Sequence, residues 1–414
     1  IGLKADGVRR LTRCRVAAPA PMLVCANQRE GGMSRGIPSC ALRIVVAAGL
    51  APVPATIAPA LARPVSAVEV EIGGYMEQSV GAAINSPGVR VTRESGTTSV
   101  IAAPNPVAQR ADSEIWFHGR GRLGEAVTIG FVVQLEADSQ PDRQIDESYL
   151  YLEGRPGRLV LGAENDAAYL QHVSAPRAGA AWGVLESAAT GWVFKPRHVG
   201  FLGTTAPLTA GDGRKLTYFT PRLSGAQLGF SLTPADSETA RDLADRARER
   251  TSLVTLSANG RWSWGETGLS LSGGWVHGAA APSATTADRR APIDDAGLGA
   301  ELRHRNLAIG AGFRRLANPR GTQNGRAVAA GLAWETGPWA VGLGAIASRM
   351  DGAASGGAAD LGDLALLSGS LRLGPGLHLI VALFAARFAA GRTTYGAEDR
   401  NLGYGAVSGL RLGF

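Results

Sequence analysis

Short segments in which apolar residues alternate with small or polar ones recur from residue 68 to residue 414, and this pattern constrains the fold most. A period of two places the two sets of side chains on opposite faces of a β-strand. In residues 402–414 the even-numbered side chains are mainly aliphatic or aromatic, whereas the odd-numbered ones are mainly glycine, with Arg411 among them. Such strands are typical of a transmembrane β-barrel with a wet interior.

The same alternation assigns faces elsewhere in the chain. In residues 113–123 we predict that Ile115 and Phe117 point outward. The opposite set of side chains then faces the interior and is polar or charged: Trp116, His118, Arg120 and Arg122.

We predict about sixteen antiparallel strands, with boundaries uncertain by ~2–4 residues. They span residues 68–80, 113–123, 126–137, 146–154, 157–163, 214–222, 225–233, 251–264, 266–278, 295–304, 306–316, 325–336, 338–349, 363–373, 376–388 and 401–414.

The connections between these strands alternate between tight turns and long polar links. The turns are rich in glycine, proline and asparagine, as in Gly337-Pro338. The long links span residues 81–112, 138–145, 164–213, 234–250, 279–294, 317–324, 350–362 and 389–400. Outer-membrane barrels have short periplasmic turns and long extracellular loops, whereas a soluble β-sandwich has no reason to alternate in this way.

Composition excludes other classes of protein. The chain is 45% hydrophobic, yet it lacks the ~20 consecutive apolar residues, free of helix breakers, that a spanning helix needs. Residues 1–67 hold nine basic and two acidic residues and so account for the whole formal charge of +7, which is no argument for nucleic-acid binding. The three cysteines also lie there, so a cysteine metal cluster, disulfide scaffold or cysteine nucleophile is excluded from residues 68–414.

The start of the chain reads as a leader. Residues 33–67 resemble a signal peptide, with a basic start, an apolar run and small residues before a cut after Ala67 or, alternatively, Ala62. A membrane anchor is the other interpretation, but three prolines would break a spanning helix there. We interpret residues 1–32 as an over-extended reading frame and residues 68–414 as the exported barrel.

Four stretches give residues 68–414 a resemblance to the trimeric general porins of Gram-negative bacteria, and more closely to their alphaproteobacterial branch. They are residues 70–75 (Val-Glu-Ile-Gly-Gly-Tyr), the 146–154 strand, residues 216–225 with Tyr218 to Pro221 before Ser224-Gly225, and the terminal Phe414. The resemblance implies sixteen strands, a homotrimer and a third loop folded into the lumen, here residues 164–213. It also implies that Phe414 is read as a signal by the barrel-assembly machinery.

The resemblance further implies a pore constriction with opposed charges. The acidic candidates on the third loop are Glu164, Asp166 and Glu186, and the basic candidates on the wall are Arg120, Arg122, Arg158, Arg214 and Lys215. The loop lacks the Pro-Glu-Phe-Gly-Gly motif of the family, which leaves open which acid faces the lumen. Each charge taken alone is equally well explained as a solvated rim residue.

The sequence therefore predicts an exported outer-membrane porin that passes small hydrophilic solutes and ions, contacts outer-membrane lipid, and needs no cofactor or metal. A barrel used mainly as an anchor or adhesin, and a substrate-specific channel, are the alternatives. An enzyme is disfavoured because the six histidines are scattered and none lies beside a nucleophile in a recognisable motif.

Overall fold

A computed structural model gives the architecture of the chain. It describes residues 67–86, 90–92, 99–101, 106–137, 144–185, 191–196, 199–208, 211–235, 251–279, 292–317, 324–351, 358–391 and 400–414. These residues belong to one compact unit, 53–414.

The described residues form eighteen strands and one short helix, α1 (Ala167–Leu170). The strands are β1 Glu69–Asn85, β2 Arg90–Thr92, β3 Ser99–Ile101, β4 Val107–Leu123, β5 Val127–Glu136, β6 Ile145–Gly154, β7 Gly157–Ala163, β8 Arg214–Phe219, β9 Ala226–Ala235, β10 Thr251–Trp264, β11 Thr267–Ala279, β12 Ile293–His304, β13 Leu307–Ala317, β14 Gly325–Thr336, β15 Trp339–Met350, β16 Asp360–Arg372, β17 Leu377–Ala389 and β18 Arg400–Gly413.

Sixteen of these strands, β1 and β4 to β18, form one closed antiparallel barrel. Each barrel strand pairs with the next barrel strand along the chain, so that β1 pairs with β4. Strand β18 closes the barrel on β1, where Tyr75 lies opposite Gly413. The predicted number of barrel strands is confirmed. Among the described helices, none is long and apolar enough to cross a membrane.

The two strand faces differ as the alternation predicts. On β17 and β18 the outward face is apolar and exposed, as at Leu383 and Leu410, while inner residues such as Phe384, Phe388 and Val407 are buried. An apolar outer band is what a lipid environment requires of a spanning barrel.

The connections also follow the predicted alternation of lengths. At the tight-turn end, β10 and β11 are joined by two residues, as are β14 and β15. Gly265 and Gly337 adopt φ of 57° and 53° in these turns, a left-handed conformation that favours glycine.

The structure corrects the prediction at the first link. We expected residues 81–112 to be one polar connection, but β1 continues to Asn85, β4 begins at Val107, and β2 pairs with β3 in a separate hairpin. Because Arg110 and Asp112 are charged, the sequence pattern predicted a loop at the start of β4. Their positions opposite Ser79 and Glu77 show that charged residues on the inner face are compatible with strand pairing.

The largest apolar cluster lies between the 164–213 link and the inner face of β14 to β18. Trp182, Val184 and Trp192 of the link belong to it, together with Ile346 and Phe384 from the strands. The strands therefore do not bury these side chains against each other; the link covers them.

Candidate functional site

The 164–213 link starts by packing against the inner face of β9 to β11. Asp166 caps α1, its Oδ1 accepting bonds from the amides of Ala168 (2.9 Å) and Tyr169 (3.0 Å). The amide of Ala167 donates to Ser231 Oγ on β9 at 2.9 Å, and Asn259 Nδ2 on β10 donates to the carbonyl of Gln171 at 3.0 Å.

The link then reaches the far side of the barrel. Trp182 Nε1 donates to Glu77 Oε1 on β1 at 2.7 Å, and Ser368 Oγ on β16 donates to the Trp182 carbonyl at 2.7 Å. Further on, the amide of Phe194 donates to Asn85 Oδ1 at the end of β1 at 3.0 Å.

The returning part of the link is held by buried polar groups on the same inner faces. The amide of Gly200 donates to Asp360 Oδ2 at 2.8 Å, and the amide of Leu208 donates to Asp295 Oδ2 at 3.2 Å. Asp295 is itself buried and receives two bonds from Arg314 at 2.9 and 2.7 Å. These contacts fix the link to β12 and β16.

His172 and Thr205 connect the outgoing and returning parts of the link. His172 Nε2 lies 3.0 Å from Thr205 Oγ1, which donates to Ser174 Oγ at 2.8 Å. Burial, with a smaller contribution from the positive charge of Arg314, lowers the pKa of His172 to about 4. The imidazole is therefore neutral at physiological pH, and the packed link disfavours its protonation.

The inner face of β4 is charged and exposed. Arg120 and Arg122 are exposed on β4, on the same face as His118 and opposite to that of Phe117. Arg158 on β7 is half-buried, with its guanidinium carbon 4.7 Å from the ring centroid of Tyr151. Three of the four arginines predicted for the wall thus share one side of the interior, spread over β4 to β7.

Carboxylates alternate with these arginines along the same wall. Glu69 is paired in register with Arg120, and Glu153 with Arg158. Glu71 is similarly paired with His118, and all three carboxylate residues are exposed. The wall is therefore a mixed charge surface with a basic excess on β4.

The acidic candidates of the link occupy different positions from the ones expected. Asp166 is almost fully buried and serves as the cap of α1, and Glu164 is buried, with Oε1 accepting from the Asn165 amide at 2.9 Å. Burial raises the pKa of Asp166, opposed by the amide bonds it accepts. These contacts give both carboxylates structural roles, and Glu186 lies outside the described residues.

The register of β8 gives Arg214 and Lys215 positions that differ from the expected ones. Arg214 shares its parity with Leu216 and Tyr218, which lie on the outward face, so the register places Arg214 on the outward face of β8 and not on the pore wall as expected. Lys215 does point inward, but it is buried and donates to the carbonyls of Glu164 and Gly211. Its ammonium group anchors the two ends of the link.

Sequence reasoning missed a second charged group on the inner face. Glu77 is buried and lies 3.3 Å from Arg411 Nη1, and the Arg411 guanidinium carbon lies 3.8 Å from the ring centroid of Tyr75. Arg110 is nearby on β4, with its guanidinium carbon 6.0 Å from the Trp192 ring. The inward parity of Arg411 was visible in the sequence, but the partner was not, because Glu77 is 334 residues away.

The described residues hold no group of three or more histidine, cysteine or acidic side chains placed to bind a metal. The described histidines lie apart on separate elements: His118, His172, His277, His304 and His378.

Comparisons with known proteins agree with this architecture. A family model described as Gram-negative porin matches residues 49–366. Among solved structures, the outer membrane channel DcaP of Acinetobacter baumannii has a TM-score of 0.58 at 12% identity, with 85% of this chain and 99% of that chain covered. A comparison with curated proteins finds no match.

Two further solved structures are similar in fold. The anion-selective porin from Comamonas acidovorans has a TM-score of 0.55 at 14% identity, covering 84% of this chain and all (100%) of that one. The trimer form of in-vitro folded OmpT of Vibrio cholerae has a TM-score of 0.53 at 11% identity, with 84% and 100% covered. Identities this low establish a shared fold and nothing more specific.

Proposed function

This chain belongs to the Gram-negative porin family, and we propose that solutes cross it between the 164–213 link and the wall formed by β4 to β7. It is an outer-membrane channel for passive diffusion. The single observation that carries the proposed route is the uneven exposure of the inner face. Inner side chains on β4 such as Arg120 and Arg122 are exposed, whereas those on β12 to β18 are mostly buried.

The proposed route requires the link to fold into the lumen as a third loop. The bonds of Trp182 to Glu77 and of Gly200 to Asp360 support this, because both acceptors lie on the inner parity of their strands. A link folded outward over the rim would leave the apolar inner faces of β16 and β17 uncovered.

We propose that Arg120, Arg122 and Arg158 form the basic side of this route. Fixed charges along a wide pore bias the ions present without binding them tightly. Because Glu69 and Glu153 are paired in register with two of these arginines, the wall favours anions only weakly. The substrates are therefore small hydrophilic solutes and ions of either sign, and the chain acts without a cofactor and without catalysis.

The anchor or adhesin interpretation is less well supported. A barrel used only for display has no need of an open charged wall opposite a link that is tied to at least four strands. The substrate-specific channel would need a continuous aromatic track, and the inner face of β4 to β7 offers Trp116, Tyr149 and Tyr151 among charged neighbours.

We propose a homotrimer that assembles through the outer faces of β1, β4 and β5. The outward side chains of these three strands carry no charge, and Gln109 Nε2 donates to Gln78 Oε1 at 3.2 Å on this surface. Polar amides facing lipid are costly, so this patch suits a protein neighbour. The signal peptide over 33–67, recognition of Phe414 by the assembly machinery and contact with outer-membrane lipid complete the proposal.

Single-channel recording in a planar bilayer tests the function directly. Purified protein, refolded from residues 68–414, should produce stepwise conductance that grows in proportion to salt concentration. Protein that inserts and shows no conductance steps would remove the proposed diffusion route and favour the anchor interpretation.

A further inference from the structure

Three arginines form a continuous row on the outer face of the barrel. Arg315 on β13 lies directly opposite Arg326 on β14, which lies directly opposite Arg349 on β15. All three are exposed and share the parity of the outward residues Phe313, Val328 and Ala347. Residues directly opposite on antiparallel strands have Cβ atoms about 4.5–5.5 Å apart.

Adjacent like charges destabilise a sheet unless an anion lies between them. Among the described residues, no carboxylate forms an ion pair with any of the three arginines. Asp351, the acid that follows β15 at this rim, accepts a bond from Asn324 Nδ2 at 3.0 Å. Arg314, beside Arg315 in sequence, points inward to Asp295. The row therefore presents three unneutralised guanidinium groups to its surroundings.

The row lies at one edge of the apolar outer band. Between Trp334 and Arg326 on β14, and between Trp339 and Arg349 on β15, the outward residues are aliphatic. These separations of eight and ten residues correspond to roughly 20–26 Å along the membrane normal, for a rise of about 3.4 Å per residue and a tilt of about 40°. That matches the height of about 25 Å expected for the lipid-facing band. Tryptophans at one edge and arginines at the other mark the two membrane interfaces.

A shallow groove runs over the apolar band directly below the row. It has a volume of about 460 Å³, and half of its lining residues are small and point outward: Val328, Ala330, Ala345, Ala347, Ala365 and Ala385. Val328 and Ala347 are each two residues from an arginine of the row on the same strand face. At the edge of the groove, Arg387 is already neutralised by Asp363. The groove thus continues the arginine row toward the membrane centre.

We propose that Arg315, Arg326 and Arg349 bind the phosphate groups of an outer-leaflet glycolipid, the lipid A part of lipopolysaccharide, with an acyl chain in the alanine groove. Arginine binds phosphate through two parallel hydrogen bonds, and three guanidinium groups in one row suit a headgroup with two phosphates. The proposal rests on the proposed function and on the orientation typical of outer-membrane barrels, in which the long links are extracellular. The row lies at the ends of β13 to β15 that lead into those links.

Binding can be measured by native mass spectrometry on refolded protein, free of lipopolysaccharide, titrated with diphosphoryl lipid A. The test variant is Arg315→Gln, Arg326→Gln and Arg349→Gln together. The matched control removes three arginines at the tight-turn end, Arg155→Gln, Arg305→Gln and Arg372→Gln. Because each arginine near an anionic lipid contributes roughly a fivefold gain, the test variant should bind about a hundredfold more weakly and the control should bind normally.

Two further experiments distinguish a lipid-borne phosphate from free phosphate and test the role of the groove. Dephosphorylated lipid A should bind weakly to both proteins, and inorganic pyrophosphate should not displace diphosphoryl lipid A at equal concentration. Filling the groove with Ala345→Leu and Ala365→Leu should weaken lipid A binding while leaving all three arginines in place.

Equal lipid A binding by the native protein and the test variant would overturn the proposal, as would displacement by pyrophosphate. Loss of the oligomer in the test variant with unchanged lipid binding would assign the row to a neighbouring subunit instead. Single-channel conductance of the same variant distinguishes the lipid A site from the proposed diffusion route. The conductance should equal that of the native protein even if lipid A no longer binds.

Discussion

At the scale of single residues, the inward charges differ in how far they are buried. Lys215 and Arg314 are buried and bind backbone carbonyls or a carboxylate of the barrel. Arg120 and Arg122 stay exposed, although all four residues point inward. The first pair holds the link, and the second pair is exposed to the interior.

Neutralising the exposed pair should change ion selectivity. Arg120→Gln with Arg122→Gln should move the reversal potential under a salt gradient toward cation preference at 0.1 M salt, where charges are screened over about 10 Å. The shift should be nearly lost at 1 M, where screening contracts to about 3 Å. Arg214→Gln is the matched control, because Arg214 shares the outward face of β8 and should leave the potential unchanged. Identical potentials for the double variant and the native protein would place the route elsewhere.

His172 should make the packing of the link sensitive to acid. Its pKa in the packed link, about 4, lies below its ordinary value of 6.5. As pH falls from 6.5 toward 4, the His172 imidazole becomes protonated in a detached link but stays neutral in the packed link. Protonation therefore favours the detached link, and the packing weakens. Single-channel conductance should therefore be noisier at pH 4.5 than at pH 7.5.

The variant His172→Gln should remove most of this pH dependence. His304→Gln serves as the control, since His304 is the last residue of β12 and contacts Thr267 on the outward face, away from the link. A pH response that survives in His172→Gln would show that another group controls the packing.

At the scale of elements, the link fits the barrel because the inner faces of β11 to β16 are built from small residues. Gly274 on β11 illustrates this: a Cβ added there would lie 2.6 Å from the Cβ of Ala168 in α1. Real atoms do not approach so closely, so a side chain at this position must displace the helix.

Gly274→Ala should therefore loosen the link at a cost of about 1–3 kcal/mol. We expect broader, noisier conductance levels and faster proteolysis within 164–213. Gly268→Ala tests the same strand face without the clash, because its added Cβ would meet only the Trp262 carbonyl oxygen at 3.8 Å. If both variants behave alike, the contact between α1 and β11 does not hold the link.

At the scale of the whole molecule, the barrel is closed by pairing its last residues with its first strand. The amides of Gly74 and Phe414 each donate to the other's carbonyl at 3.1 Å, and the Phe414 ring is exposed. The backbone of Phe414 thus contributes to closure, while its side chain is free to be recognised by other proteins.

Two changes at Phe414 separate these contributions. Phe414→Ala keeps both backbone bonds, and deletion of residue 414 removes them. If the ring is the assembly signal, both variants should lower the amount of folded barrel in cells by similar factors, while only the deletion slows refolding in detergent. Normal assembly of Phe414→Ala in cells would show that the side chain is not the signal.

The strands, their faces and the order of short and long connections could be predicted from local sequence. These are local properties: a period of two decides which face Ile115 or Arg120 occupies, and Gly-Pro turns are specified by a few adjacent residues. Prediction failed at the first link, where charges on the inner face hid the start of β4 and where the end of β1 and the β2–β3 hairpin were also assigned to the loop.

The contacts of each inward charge, by contrast, depend on how the chain folds in three dimensions. Sequence could not distinguish Asp166 as a helix cap, Glu77 as the partner of Arg411, or Lys215 as an anchor of the link. Those roles depend on contacts between residues far apart in the chain, which the closure of the barrel and the path of residues 164–213 bring together. The arginine row has the same origin, because strand register alone aligns Arg315, Arg326 and Arg349.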